Sequence, residues 1–170
     1  MNKRVQGYIL DVCAKRITRE EMQCKLNMTE EDVVDYTVDL LKMCLERKDA
    51  ELTEYTVILT FIYNEYRDRY VDLYNNLLLC DWHRRHEDIA FELELAKSPT
   101  SVDCLYKTVF AEYDYLDYDE FYVLATKCIW GLGEIRTEEA IEKLKTLTSS
   151  ENTIIKENAL YQLERIKEDE

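Results

Sequence analysis

One octapeptide pattern occurs three times in the second half of this chain, at Ile89–Ala96 (IAFELELA), Cys128–Ile135 (CIWGLGEI) and Ala159–Ile166 (ALYQLERI). Each copy has an aromatic residue in third place (Phe91, Trp130, Tyr161), leucine in fifth (Leu93, Leu132, Leu163) and a small or branched apolar residue in eighth. The copies start 39 and then 31 residues apart, a period that belongs to stacked helical repeats rather than to a closed globule. Such stacks present an extended surface to a partner, which directs attention to surface chemistry. The three aromatic residues are expected to look inward and hold the stack together.

Composition supports helices throughout. The 170 residues include three glycines and one proline, too few for strands joined by tight turns, and the apolar runs are long and periodic. The length suits a single domain with a real core. Six cysteines (Cys13, Cys24, Cys44, Cys80, Cys104, Cys128) are scattered with no CxxC pair, and most have apolar neighbours, so they read as reduced core thiols. The first residues, MNKRVQGYILDVCAKR, break their apolar stretch with Gln6 and Asp11. No run approaches the ~18 apolar residues of a membrane span, and no signal peptide is recognised. A cytoplasmic protein without membrane contact is expected.

The net charge is −14, of which residues 1–80 carry −4 and residues 81–170 carry −10. A phosphate backbone repels such a surface, so direct nucleic-acid binding is excluded, whereas a basic protein is steered toward it.

Thr18 with Glu21, and Thr29 with Asp32, have the hydroxyl-to-acid spacing of helix starts. They predict helices near 3–14, 18–26 and 30–47, the last burying Val33, Val34, Val38, Leu41 and Leu45. From Glu51 to Leu79 helical spacing continues, as one helix or as two with a bend near Asn64. Of the tyrosines there, Tyr66 and Tyr70 fall on the apolar stripe and read as core, while Tyr63 and Tyr74 flank it at a groove edge. Further helices are predicted near 82–97, ending before Pro99, then 100–111, 119–135, 138–148 with Thr137 as cap, and 151–167. The last repeats only the first half of a unit and ends in a charged tail, as a capping element requires.

The stretch ATKCIWGLGEIRTEEAIEKLKTLTSSENTIIKENALYQLERI resembles the short bacterial HEAT-like repeat, in which a helix ending in LGEI alternates with one of the form EEAIEKL. The likeness is good over residues 121–167, fair over 82–111 and undetectable before about 80. It implies a right-handed α-solenoid of HEAT-like antiparallel helix pairs: one α-helical domain, less regular over 1–80 and repetitive over 81–170. Gly131 and Gly133 fit this, because a mid-helix glycine costs ~1 kcal/mol against alanine unless neighbouring helices approach closely there.

Two segments carry candidate chemistry. DWHRRHED, Asp81 to Asp88, holds both histidines. On a helix, His83 and His86 share a face, but a metal site needs further ligands, and only one His-Glu pair is present, His86 with Glu87, where HEAT-like di-iron hydroxylases use several. The segment reads instead as Asp81 capping a helix, Trp82 packing on the preceding one, and the histidines lining an inter-helix groove. EYDYLDYDE, Glu112 to Glu120, sets five acids and three tyrosines around Leu116. Tyrosine offers contact area with a hydrogen-bonding tip while acids attract lysine and arginine, which is the composition of an interface anchor. Asp117 or Asp119 equally suits the N-cap of the next helix. The candidate partner-binding residues are therefore Glu112, Tyr113, Asp114, Tyr115, Asp117, Tyr118, Asp119 and Glu120, with Trp82, His83 and His86.

No GxSxG, Gly-rich phosphate loop or HExxH occurs, so neither an enzyme nor a bound cofactor or metal is expected. Small acidic HEAT-like proteins resemble the immunity proteins that neutralise toxins bacteria deliver to their neighbours. That resemblance implies binding to a cognate basic toxin, a ribonuclease or deoxyribonuclease domain, by occlusion of its active site or nucleic-acid groove. The alternative is a general HEAT-repeat adaptor for a basic cytoplasmic partner.

Overall fold

The computed structural model of the chain describes residues 1–116 and 120–168. All regular structure among them is helical. The contacts group the residues into two units, one of Met1–Leu73 with Trp82–Arg85, the other of Tyr74–Asp81 with His86–Glu170; the sequence reading placed one domain here with a change of character at 80.

In the first unit, α1 (Lys3–Cys13), α2 (Arg19–Leu26), α3 (Glu30–Arg47) and α4 (Ala50–Ile62) follow one another closely. The expected starts hold: Thr18 and Thr29 each accept from the backbone N–H three residues on, and Glu21 and Asp32 reach back to complete both capping boxes. Such a cap contributes ~1 kcal/mol. α3 turns Val33, Val34, Thr37, Leu40, Leu41 and Cys44 inward. Val38 and Leu45 are only half-buried, a stripe rotated slightly from the expected one.

After α4 the chain bends at Tyr63, runs through a 3-10 segment, Asn64–Arg69, and enters α5 (Val71–Leu77). Arg69 ties that segment to Glu31 and Asp35 on α3, both at 2.6 Å, and Tyr66 donates to Glu30 at 2.7 Å. The bend resets the helical register and corrects the tyrosine assignment. Tyr63 and Tyr74 are buried with Tyr70, while Tyr66 is the half-exposed one. Tyr63 accepts from Gln23 at 3.1 Å beneath the Arg19 guanidinium.

In the second unit, α6 (His86–Ala96), α7 (Val102–Thr108), α8 (Val123–Ile135), α9 (Glu138–Leu147) and α10 (Thr153–Glu168) pack around α8, which touches the other four. Thr137 caps α9 as expected, and Asn152 caps α10 by accepting from Ile154 and Ile155. Several helices end with a non-glycine residue in the left-handed region, among them Asn27, Lys48 and Arg136. These positions supply what glycine usually supplies, and the cations among them face the negative end of the helix dipole.

The octapeptide packs differently from expectation. First-place Ile89, Cys128 and Ala159 are fully buried, as are Leu93 and Leu132 in fifth place. The third-place aromatic residues are not inward: Phe91 is 40% and Tyr161 50% exposed, with Trp130 between them half-buried. Gly133 does mark a close approach. A Cβ there would overlap the amide oxygen of Gln162 on α10 and lie 2.8 Å from its Cδ.

The cysteines also divide. Cys44, Cys104 and Cys128 are buried, whereas Cys13 and Cys24 are exposed and Cys80 intermediate, so the expectation of core thiols holds for half of them. Burial pushes the Cys104 thiol up to about 11 and raises that of Cys128 well above its ordinary value, which keeps both inert. No helix among the described residues is long and apolar enough to cross a membrane.

Candidate protein-binding cleft

Between α7 and α8 the chain departs from helical repetition. Val109, Phe110 and Ala111 prolong α7 as a turn, and Asp114–Leu116 forms a 3-10 turn closed by Leu116 N–H donating to the Tyr113 carbonyl at 2.8 Å. The expected helix near 119–135 begins only at Val123. Asp117, Tyr118 and Asp119 lie outside the described residues.

Beneath this segment sits His86. It is wholly buried, its ring stacked on Tyr113 with centroids 3.8 Å apart and on Tyr115 at 5.7 Å. Nε2 lies 2.5 Å from the Cys80 carbonyl and Nδ1 2.8 Å from the Tyr115 hydroxyl. A carbonyl only accepts, so in the neutral imidazole the proton sits on Nε2 and Nδ1 accepts from Tyr115. Tyr113 donates to the Leu78 carbonyl at 3.0 Å, and burial pushes its phenol up to about 12. Tyr113, Tyr115 and His86 thus anchor the tract from within. Each is hydrogen-bonded within the fold, His86 wholly buried and the two tyrosines half-buried.

The acids face the other way. Glu112, Asp114 and Glu120 are exposed, followed by Phe121, 76% exposed, and by exposed Tyr122 and Val123. Tyr122 adopts φ 51°, ψ 46° just before α8. An aromatic residue in this left-handed region is strained, and such strain collects at functional surfaces. Phe110, Ala111, Glu112, Tyr113, Leu116, Tyr122, Leu124 and Ala125, with Val109 and Ile155, line a cleft of about 550 Å³. Its walls mix apolar and polar surface in about equal measure, with the Glu112 carboxylate among them, so the cleft can receive an apolar side chain while pairing with a cation beside it.

The DWHRRHED segment is not a helix before His86. His83, 2% exposed, accepts from Arg85 N–H at 3.1 Å and meets half-buried Trp82 edge-on at 5.1 Å. Arg85 binds Glu54 of α4 at 2.6 Å. Because a turn separates the histidines, they do not share a helical face. Both are buried, and Trp82 and His83 belong to the first unit. Among the described residues no group of three or more His, Cys, Asp or Glu is arranged to hold a metal.

Phe110, Phe121, Tyr122 and Ile155 were not singled out by sequence. Their signal was faint: FY follows the acidic tract and VF precedes it, apolar pairs next to charge with no helical period to bury them. Comparison of the chain with protein-family models, with curated proteins and with solved structures yields no match.

Proposed function

We propose that this chain is an inhibitory binding protein of the immunity type, which docks its acidic cleft on a basic, nuclease-type protein toxin and blocks the groove where the toxin holds nucleic acid. In this reading α6 with α7 and α8 with α9 are HEAT-like pairs of a right-handed solenoid, α10 closes the stack, and the protein acts in the cytoplasm. Residues 112–122 are then an insertion between pairs that the repeat does not need.

One observation carries the proposal: the most acidic, tyrosine-rich stretch of the chain coincides with an open cleft of mixed apolar and polar walls. Tyr113 and Tyr115 hold the backbone, which leaves Glu112, Asp114 and Glu120 at the surface with Phe110, Phe121 and Tyr122. The net charge of −14 speeds encounter with a basic partner, and the apolar side chains slow its departure.

The test is co-production with the product of the adjacent gene. A toxic product that loses toxicity, and is retained at ~0.15 M salt where exposed charges act over only ~8 Å, supports the reading. A harmless basic partner that is retained makes the chain an adaptor instead, and no retained basic partner removes the proposal.

A further inference from the structure

The third-place aromatic residues of the octapeptide form a second surface. On α8 and α10 the rings of Trp130 and Tyr161 stand 5.8 Å apart, tilted by 30°, and Trp130 Nε1 donates to Asn158 at 3.1 Å. Phe91 stands at the same place of the repeat on α6, which packs against α8. The row lies farther along α8 and α10 than Leu124, Ala125 and Ile155, which line the cleft. Phe91 and Tyr161 stay exposed and Trp130 half-buried while the first-place residues are buried, so packing of the repeat does not account for the two outer rings.

The charges around the row have a pattern. Its cations are already bound: Lys127 to Glu87 at 3.4 Å, Lys97 to Glu134 at 2.6 Å, and Arg165 to the same Glu134. Three carboxylates near the row form no ion pair among the described residues, although Lys97, Lys127 and Arg165 also act on Glu94 at longer range. Glu157 and Glu164 flank Tyr161 at i−4 and i+3 on one face of α10, and Glu94 follows Phe91 at i+3 on α6. The backbone of Glu94 lies against α8 beside Gly131. Its carboxyl is half-buried and held above the usual range, by burial first and then by the charge of Glu134. Rings interleaved with unspent carboxylates select cations, through the ring faces and ion pairing together. The protein already shows one such contact, with the Arg165 guanidinium 5.7 Å from the Trp130 ring centroid.

We infer that the row Phe91, Trp130 and Tyr161, with Glu94, Glu157 and Glu164, is a docking surface for an arginine-bearing segment of a partner polypeptide, separate from the cleft. Free phosphate, nucleic acid and acidic peptides are repelled by the same carboxylates. The surface stands whether or not the cleft binds a toxin, because it rests on different residues.

The test uses the whole chain, labelled with ¹⁵N, and two pentapeptides, acetyl-Ala-Arg-Leu-Arg-Ala-amide and its uncharged citrulline counterpart. The chain has two tryptophans, so Trp130 gives one of two indole N–H signals, assigned by Trp130→Phe. Saturable movement of the Trp130 signal by the arginine peptide alone is expected, with affinity reduced about threefold by Tyr161→Ala and again by Glu94→Gln. Both positions are partly exposed, and the unchanged amide spectrum of each variant establishes that it is folded. No saturable movement, equal movement with citrulline, movement of the Trp82 signal only, or unchanged affinity in both variants overturns the inference.

Discussion

Tyr113 lies on His86, ring centroids 3.8 Å apart and planes 27° from parallel. Through this stack the acidic tract is fastened within the second unit by a buried ring, while the carboxylates of Glu112, Asp114 and Glu120 stay outside. His86→Ala removes the ring together with its bonds to the Tyr115 hydroxyl and the Cys80 carbonyl. The expected loss is about 2–4 kcal/mol in urea unfolding. Tyr113→Phe keeps the stack and loses the bond to Leu78, for about 1 kcal/mol. Equal and negligible losses in the two variants would show that the tract is not anchored here.

Gly133 and Gln162 form a coupled pair. Gly133→Ala gains ~1 kcal/mol of helix propensity, yet the new Cβ meets the Gln162 side chain, so a net destabilisation of about 1–3 kcal/mol is expected. Gln162 is fully buried, and its Oε1 and Nε2 lack hydrogen-bond partners, so Gln162→Ala opens space and removes two uncompensated polar atoms. The Gly133→Ala/Gln162→Ala double variant is therefore expected to be more stable than the sum of the singles, a coupling that a denaturation cycle measures directly.

Two acids on the same face give opposite pH behaviour. Glu134 is held below the usual carboxylate range by its bond to Lys97 and then by Arg165, against its own burial. The stability it contributes is present above its ordinary value of 4.5 and is lost as pH falls through the depressed value. Glu94 is held above 4.5, so its ionisation opposes folding at neutral pH, and this cost fades as pH falls through the raised value. Glu134→Gln is expected to lower the melting temperature at pH 7 and to converge on wild type in acid. Glu94→Gln is expected to raise it at pH 7, with the advantage gone below about pH 4.5. Melting curves from pH 3 to pH 8 check both signs.

Tyr122 offers a test of stored strain. Its left-handed backbone, φ 51°, suits glycine without penalty, so Tyr122→Gly is expected to preserve or raise stability by up to about 1 kcal/mol while removing one wall of the cleft. A clear loss of stability would mean that the ring is needed for packing rather than for a partner.

Much of the helical plan was readable because local signals agreed. Thr18 and Thr29 cap where hydroxyl and acid spacing placed them and Thr137 caps where expected, and the first-place residues of the octapeptide, with Leu93 and Leu132 in fifth place, are buried. The error over Phe91, Trp130 and Tyr161 has a geometric cause. At about 100° per residue, places one, five and eight lie within about 60° of one another, and place three lies about 200° from place one. Hydrophobicity drew these aromatic residues into the core, whereas the period assigns them to the opposite face. Tyr63 and Tyr74 were misplaced because the 3-10 segment Asn64–Arg69 is held by tertiary ion pairs to α3, and a long-range cause leaves no local mark. The tract was legible as acidic and aromatic, but not in which of its side chains turn inward. That depended on His86, placed beneath it by a turn of the chain at 81–85.

The account's central claim is that the cleft holds a basic protein by apolar side chains set among acidic ones. The most direct measurement is surface-binding kinetics against the purified basic product of the adjacent gene, comparing wild type with two variants. Glu112→Gln/Asp114→Asn/Glu120→Gln is expected to slow association about tenfold with little change in dissociation, and Phe110→Ala/Phe121→Ala to speed dissociation tenfold or more with association nearly unchanged. Association and dissociation rates that are the same for wild type and both variants would contradict it.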